Sequence, residues 1–89
     1  MKTKDEFYEM VAEKIKGYLP EVFQEARITV DEIYKPGNVR TGITVSLPSE
    51  SIAPVIYLED AYQKYVNGQW TENDVLMSTA DDIVRLHQQ

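Results

Sequence analysis

Residues 27–47 read RITVDEIYKPGNVRTGITVSL, and their pattern decides the fold. In the second half, Val39, Thr41, Ile43, Val45 and Leu47 fall on one parity, and Arg40, Gly42, Thr44 and Ser46 on the other. Alternation with one wet side marks a strand of an antiparallel sheet covered on a single face. Upstream, Ile28 and Val30 alternate in the same way, but Ile33 has the opposite parity, which implies a bulge or a twist near Asp31 and Glu32. Between the two runs, Pro36 and Gly37 hold the central positions of a turn. Proline pre-sets the first φ, and glycine accepts the positive φ of a type II turn.

The apolar face of this sheet needs a cover, and the flanking segments supply helices. TKDE at 3–6 is a capping box, in which Thr3 and Glu6 satisfy each other's backbone amides. Phe7, Val11, Ile15 and Leu19 follow at intervals of four with Tyr18 beside them, one apolar arc at about 100° per residue. Glu6, Glu9 and Glu13 fall nearly opposite and form an acidic ridge. Gly17 weakens the last turn, Pro20 limits extension, and PEVFQEA at 20–26 adds a further turn with Val22 and Phe23 tucked under it.

Downstream, PVIYL at 54–58 is a short third strand, with Ile56 and Leu58 pointing one way and Val55 and Tyr57 the other. Tyr57 is open between the two sheet faces. Asp60 is a candidate cap for a short helix whose apolar arc is Ala61, Tyr62, Tyr65 and Val66, ended by Gly68. TEND at 71–74 caps a last helix with Val75, Leu76, Thr79, Ala80, Ile83 and Leu86 inward, and the polar HQQ end frays. Trp70 directly precedes this cap and Val75 is the fourth helical residue, the hydrophobic-staple geometry; the other reading leaves Trp70 as an exposed anchor.

The 89 residues imply one domain spanning 1–89. A domain this small buries roughly 60% of its unfolded surface. The net charge of −6 argues against binding nucleic acid or anionic membranes and permits a basic partner. No apolar run approaches the roughly 20 residues of a membrane span. The absence of cysteine fits a cytoplasmic location and excludes disulfides and thiolate metal sites. His87 is the only histidine and sits at the fraying end, so no catalytic or metal role is expected of it. The glycines and serines form no phosphate loop or nucleophile elbow. Neither Glu59-Asp60 nor Asp81-Asp82 makes an acid/base pair, because neighbours on a helix diverge by about 100°. No cofactor or catalytic activity is expected.

The stretch IAPVIYLEDAYQKYVNGQW at 52–70 resembles a family of bacterial domains of unknown function, common in anaerobic gut bacteria, through Ile52, Pro54, Ile56, Tyr57, Leu58, Glu59, Tyr62, Tyr65 and Gly68. YLPEVFQEARITV and TGITV are similar to the same family's earlier segments. The resemblance implies one domain type and no assigned activity. In element order and charge alone, the chain is also similar to one kind of anti-CRISPR inhibitor. The expectation is an α+β domain of helix, three antiparallel strands and two helices, with the helices on one sheet face. Its expected role is a non-catalytic, acidic protein-interaction domain, with Glu6, Glu9, Glu13 and Trp70 as the candidate surface. The alternative is an acidic nucleic-acid mimic that inhibits a nucleic-acid-binding protein.

Overall fold

The computed structural model describes residues 2–51 and 53–88; Ile52, the first position of the family-like motif, lies outside the described residues. The elements are α1 (Lys4–Lys14), β1 (Arg27–Lys35), β2 (Asn38–Ser46), β3 (Val55–Tyr57), α2 (Glu59–Val66) and α3 (Glu72–His87), with two 3-10 turns, Ile15–Tyr18 and Glu21–Phe23, between α1 and β1. The strands form one antiparallel sheet in the order β1-β2-β3. This is the αβββαα order that the sequence predicts.

The Thr3–Glu6 capping box starts α1, with the Glu6 carboxylate 2.9 Å from the Thr3 amide. The helix buries Tyr8 and Met10 beside Phe7 and Val11, a broader arc than the four-residue row suggests. At Ile15 it tightens into the 3-10 turn, which rotates Tyr18 out to 40% exposure. The next turn buries Phe23 but leaves Val22 outside, because three successive residues of a 3-10 turn point about 120° apart. Tyr18 and Val22 are thus corrections to the predicted core.

β1 and β2 pair without interruption from Arg27↔Ser46 to Lys35↔Asn38. No bulge occurs, and Ile33 stays half-buried on the outer face, opposite Arg40. An unbroken ladder keeps every cross-strand hydrogen bond, and one partly exposed isoleucine is a small cost by comparison. Gly37 has φ +77°, as the predicted turn requires. On the inner face, Ile28, Val30, Ile43 and Val45 join a core with Phe7, Val11, Ile15, Val75 and Ile83. The hairpin outruns this helical cover. Tyr34 and Val39, paired across its outer end, share the core parity yet are exposed, so Val39 also leaves the predicted core.

β3 aligns Gly42↔Tyr57, Ile43↔Ile56 and Thr44↔Val55. Ile56 and Leu58 point into the core, and Val55 and Tyr57 take the outer face. The strand crosses close to Gly42: a Cβ there would lie 2.6 Å from Val55 Cγ1 and 3.2 Å from the Ile56 carbonyl oxygen. The Leu58 amide then donates to the buried Tyr8 hydroxyl at 3.2 Å. Leu58, not Asp60, stands at the N-cap of α2, because the last inward residue of the strand leads straight into the first helical turn. Tyr62 and Tyr65 pack half-buried on Phe7, with ring centroids 5.0 and 5.1 Å away. Gly68 takes φ +78°, and the Lys64 carbonyl accepts from the Gln69 and Trp70 amides. A second capping box, Thr71 with Asp74, starts α3. This helix buries Val75, Leu76, Thr79, Ala80 and Ile83, while Leu86 faces outward at 39% exposure.

Gly42→Ala is expected to destabilise the fold by about 1–3 kcal/mol, since the β-branched Val55 and a backbone carbonyl must give way. Gly17→Ala, where no atom lies within 4 Å of the added carbon, is expected to be neutral or stabilising by up to about 1 kcal/mol. Urea melts of the two variants check the contrast; equal midpoints would show that β3 does not depend on the close approach.

Candidate functional site

The residues singled out by the sequence lie in two places. Glu6, Glu9 and Glu13 line one shallow groove of about 460 Å³ along α1, together with Lys2, Met10 and Lys14. Glu6 is engaged in its capping box, whose bonds to the Thr3 amide and hydroxyl hold its carboxyl below the usual carboxylate range. Lys2 and Lys14 both pair with Glu72 of α3, at 2.7 and 3.7 Å. Glu9 and Glu13 are exposed and have no ion-pair partner among the described residues.

Trp70 is separate from this ridge. It is half-buried against the core that contains Val75, and the Lys64 ammonium sits 4.4 Å from the centre of one ring. The indole thus offers an apolar underside to the core and a cation-binding face to the surface. It borders a cleft of about 230 Å³ that also reaches Tyr57, Asp60, Ser78 and Asp82.

Two side-chain groups escaped the sequence reading. On the outer sheet face the Arg40 guanidinium stacks 3.7 Å over the Tyr57 ring and grips Glu59 with two bonds, Nε to Oε1 at 3.0 Å and Nη2 to Oε2 at 3.2 Å. The guanidinium holds the Glu59 carboxyl below the usual carboxylate range. Alternation leaves the face of Tyr57 open, and only the β2–β3 register puts it beside Arg40. The other group is His87. It ends α3 as an ordered residue, with its side chain only 5% exposed. Its ring meets Phe23 edge-on with centroids 5.2 Å apart, Nδ1 donates to Glu50 Oε2 at 2.8 Å, and Nε2 is buried with no partner among the described residues. The predicted fraying is therefore corrected at His87: the ring packs under the 3-10 turn that carries Phe23, a contact with no signature in local sequence. Among the described residues no group of three or more His, Asp or Glu side chains is placed to hold a metal ion, and no helix is long and apolar enough to cross a membrane.

The chain belongs to a family of unknown function (DUF5688), which matches residues 4–89. No curated protein and no solved structure matches it.

Two predictions concern these groups. A carboxyl whose folded pKa is depressed adds stability above its unfolded pKa of about 4.3, and that stability is lost as pH falls through the folded value. Replacing Arg40 by Met removes the cause of the Glu59 shift, so wild-type stability should fall more steeply than the variant's between about pH 5 and 3. Glu6, Asp31 and Glu72, also depressed, contribute equally to both proteins, so the difference between their urea-melt profiles is the readout. Parallel profiles would contradict the assignment. For His87, truncation to Ala should cost about 1–3 kcal/mol. His87→Phe keeps the packing on Phe23 and removes the unpartnered nitrogen, so it should lose less than the truncation; melting curves that rank the two variants the other way would refute the packed position.

Proposed function

We propose that this domain is a non-catalytic protein-interaction module. The observation that carries the reading is the uncovered outer end of the hairpin, where Tyr34 and Val39 are 73% and 56% exposed on the side that the helices cover elsewhere. A paired aromatic and β-branched residue on a bare sheet face gains most when a partner covers it. The Tyr34 hydroxyl donates to Glu32 at 2.6 Å, across the same exposed face. Together with the net charge of −6, this favours a partner that is apolar at the contact and basic around it. The absence of cysteine suits a cytoplasmic setting.

The nucleic-acid mimic has less support. A mimic needs dense, uncompensated carboxylates, whereas Lys2 and Lys14 line the same groove as the ridge and Glu6 is used in capping. Of the ridge, only Glu9 and Glu13 are free to imitate phosphates, with Asp5 beside them in the groove.

A photo-cross-linking residue placed at position 34, and separately at position 9, distinguishes the readings in the native host. The interaction reading expects an adduct from position 34 that disappears in Val39→Asp and survives high salt. The mimic reading expects an adduct from position 9 with a basic protein, lost between about 50 and 200 mM salt and in the Glu9→Lys, Glu13→Lys double variant. Adducts from position 9 alone would reject the proposal.

A further inference from the structure

We propose that the free edge of β3 receives an extended segment of a partner protein, which presents an apolar side chain and, two residues along, a basic one. The inference rests on the interaction reading but uses a surface remote in sequence from Tyr34 and Val39.

The two edges of the sheet differ in character. β1 carries four charged residues in nine, Arg27, Asp31, Glu32 and Lys35. Charge of this kind protects an edge against stray pairing. β3, the opposite edge, is Val55, Ile56 and Tyr57, with no charge on it. The Val45 amide donates to the Pro54 carbonyl at 3.3 Å, and the register continues through Ile43↔Ile56. Backbone groups alternate in direction along an antiparallel strand. Ile56 therefore turns its amide and carbonyl to β2, and Val55 and Tyr57 turn theirs outward. These outward groups are a template for one more strand.

Beside this edge runs a groove against α3. It consists of two cavities in sequence, joined at Asp82. The first, about 280 Å³, is bounded by Val55, Ile56, Asp82, Arg85 and Leu86. The second, about 230 Å³, reaches Tyr57, Asp60, Lys64, Trp70 and Ser78. Alternate side chains of an added strand point to one side about 7 Å apart, so two of them can enter successive cavities. The aliphatic walls of the first select an apolar residue. The second selects a cation by charge complementarity. Asp82 already pairs with Arg85, but Asp60 has no ion-pair partner among the described residues, and the Trp70 ring beside it already holds an ammonium, that of Lys64. Lys64 keeps the indole face, so an incoming Lys or Arg is drawn by the unpaired Asp60 carboxylate. Because β3 offers only the main chain of Val55 and Tyr57, the two cavities and not the ladder set the specificity.

The test begins with selection from an unbiased displayed library of twelve-residue peptides on the full chain, followed by binding of one selected synthetic peptide. Trp70, the only tryptophan, reports binding by fluorescence. The expected peptide carries an apolar and a basic residue at i and i+2, changes the Trp70 emission, and slows exchange of the Val55 and Tyr57 amides. Val55→Pro removes an outward amide without touching the β2 ladder and should abolish binding. Should that variant lose its fold, Asp60→Lys and Leu86→Asp, both surface changes, each should weaken binding by about tenfold or more. Four outcomes overturn the proposal: no enriched peptide; binding indifferent to Asp60→Lys and Leu86→Asp; peptides captured only through Tyr34 and Val39, which would leave the interaction reading standing; or a stable dimer by light scattering in which the Val55 and Tyr57 amides are already protected, which would assign the edge to a second copy.

Discussion

The approach of β3 across Gly42 is the contact on which the other half of the molecule depends. With a hydrogen in place of a side chain at position 42, Val55 and the Ile56 carbonyl can lie against β2. That approach delivers Ile56 and Leu58 to the core and sets the Leu58 amide on the Tyr8 hydroxyl. It also fixes where α2 begins, and so puts Glu59 within reach of Arg40. The Tyr8 hydroxyl serves as acceptor in a dry environment, and that burial pushes its own pKa up. A domain of this size has a total stability on the order of 5 kcal/mol, so a few such contacts decide whether the C-terminal half docks at all.

Small size has a second consequence. The short helices do not reach the turn end of a sheet whose hairpin is nine residue pairs long. What lies beyond the cover keeps its apolar parity without a core to enter, and Tyr34 and Val39 are the result. The other uncovered element is the uncharged edge of β3, with α3 beside it. Both features follow from a sheet larger than its cover. The acidic ridge on α1, by contrast, is partly offset by the lysines around it, and its capping glutamate has a local structural role.

Local chemistry was legible where it is local. The alternation of residues 39–47, the turn at Pro36-Gly37, the capping box of α1 and the cap of α3, the φ-positive Gly68 and most of the inner arc of α3 all appear as read. One cause recurs among the readings that failed. Parity and helical period say which way a side chain points but not whether anything lies there to meet it. Val39 points as expected and finds water, while Val22 and Leu86 face outward. Ile33 suggested a bulge only because every isoleucine was assumed to seek the core. The candidate surface was partly legible: the ridge and Trp70 could be named, but nothing in the chain's order placed Trp70 in one cleft with Asp60 and Asp82.

The sequence by itself determined the α+β class, the order of elements, the hairpin turn and the starts of α1 and α3, because each depends on residues within one or two turns or one hairpin loop of each other. Only the tertiary structure decided that His87 is packed rather than frayed, since Phe23 and Glu50, which hold it, lie 64 and 37 positions away. It alone decided that Arg40 clasps Glu59 across Tyr57, and that the edge of β3 faces a groove while the end of the hairpin faces solvent. Those outcomes depend on how far one layer extends over another, a quantity set by packing of the whole chain and carried by no local pattern.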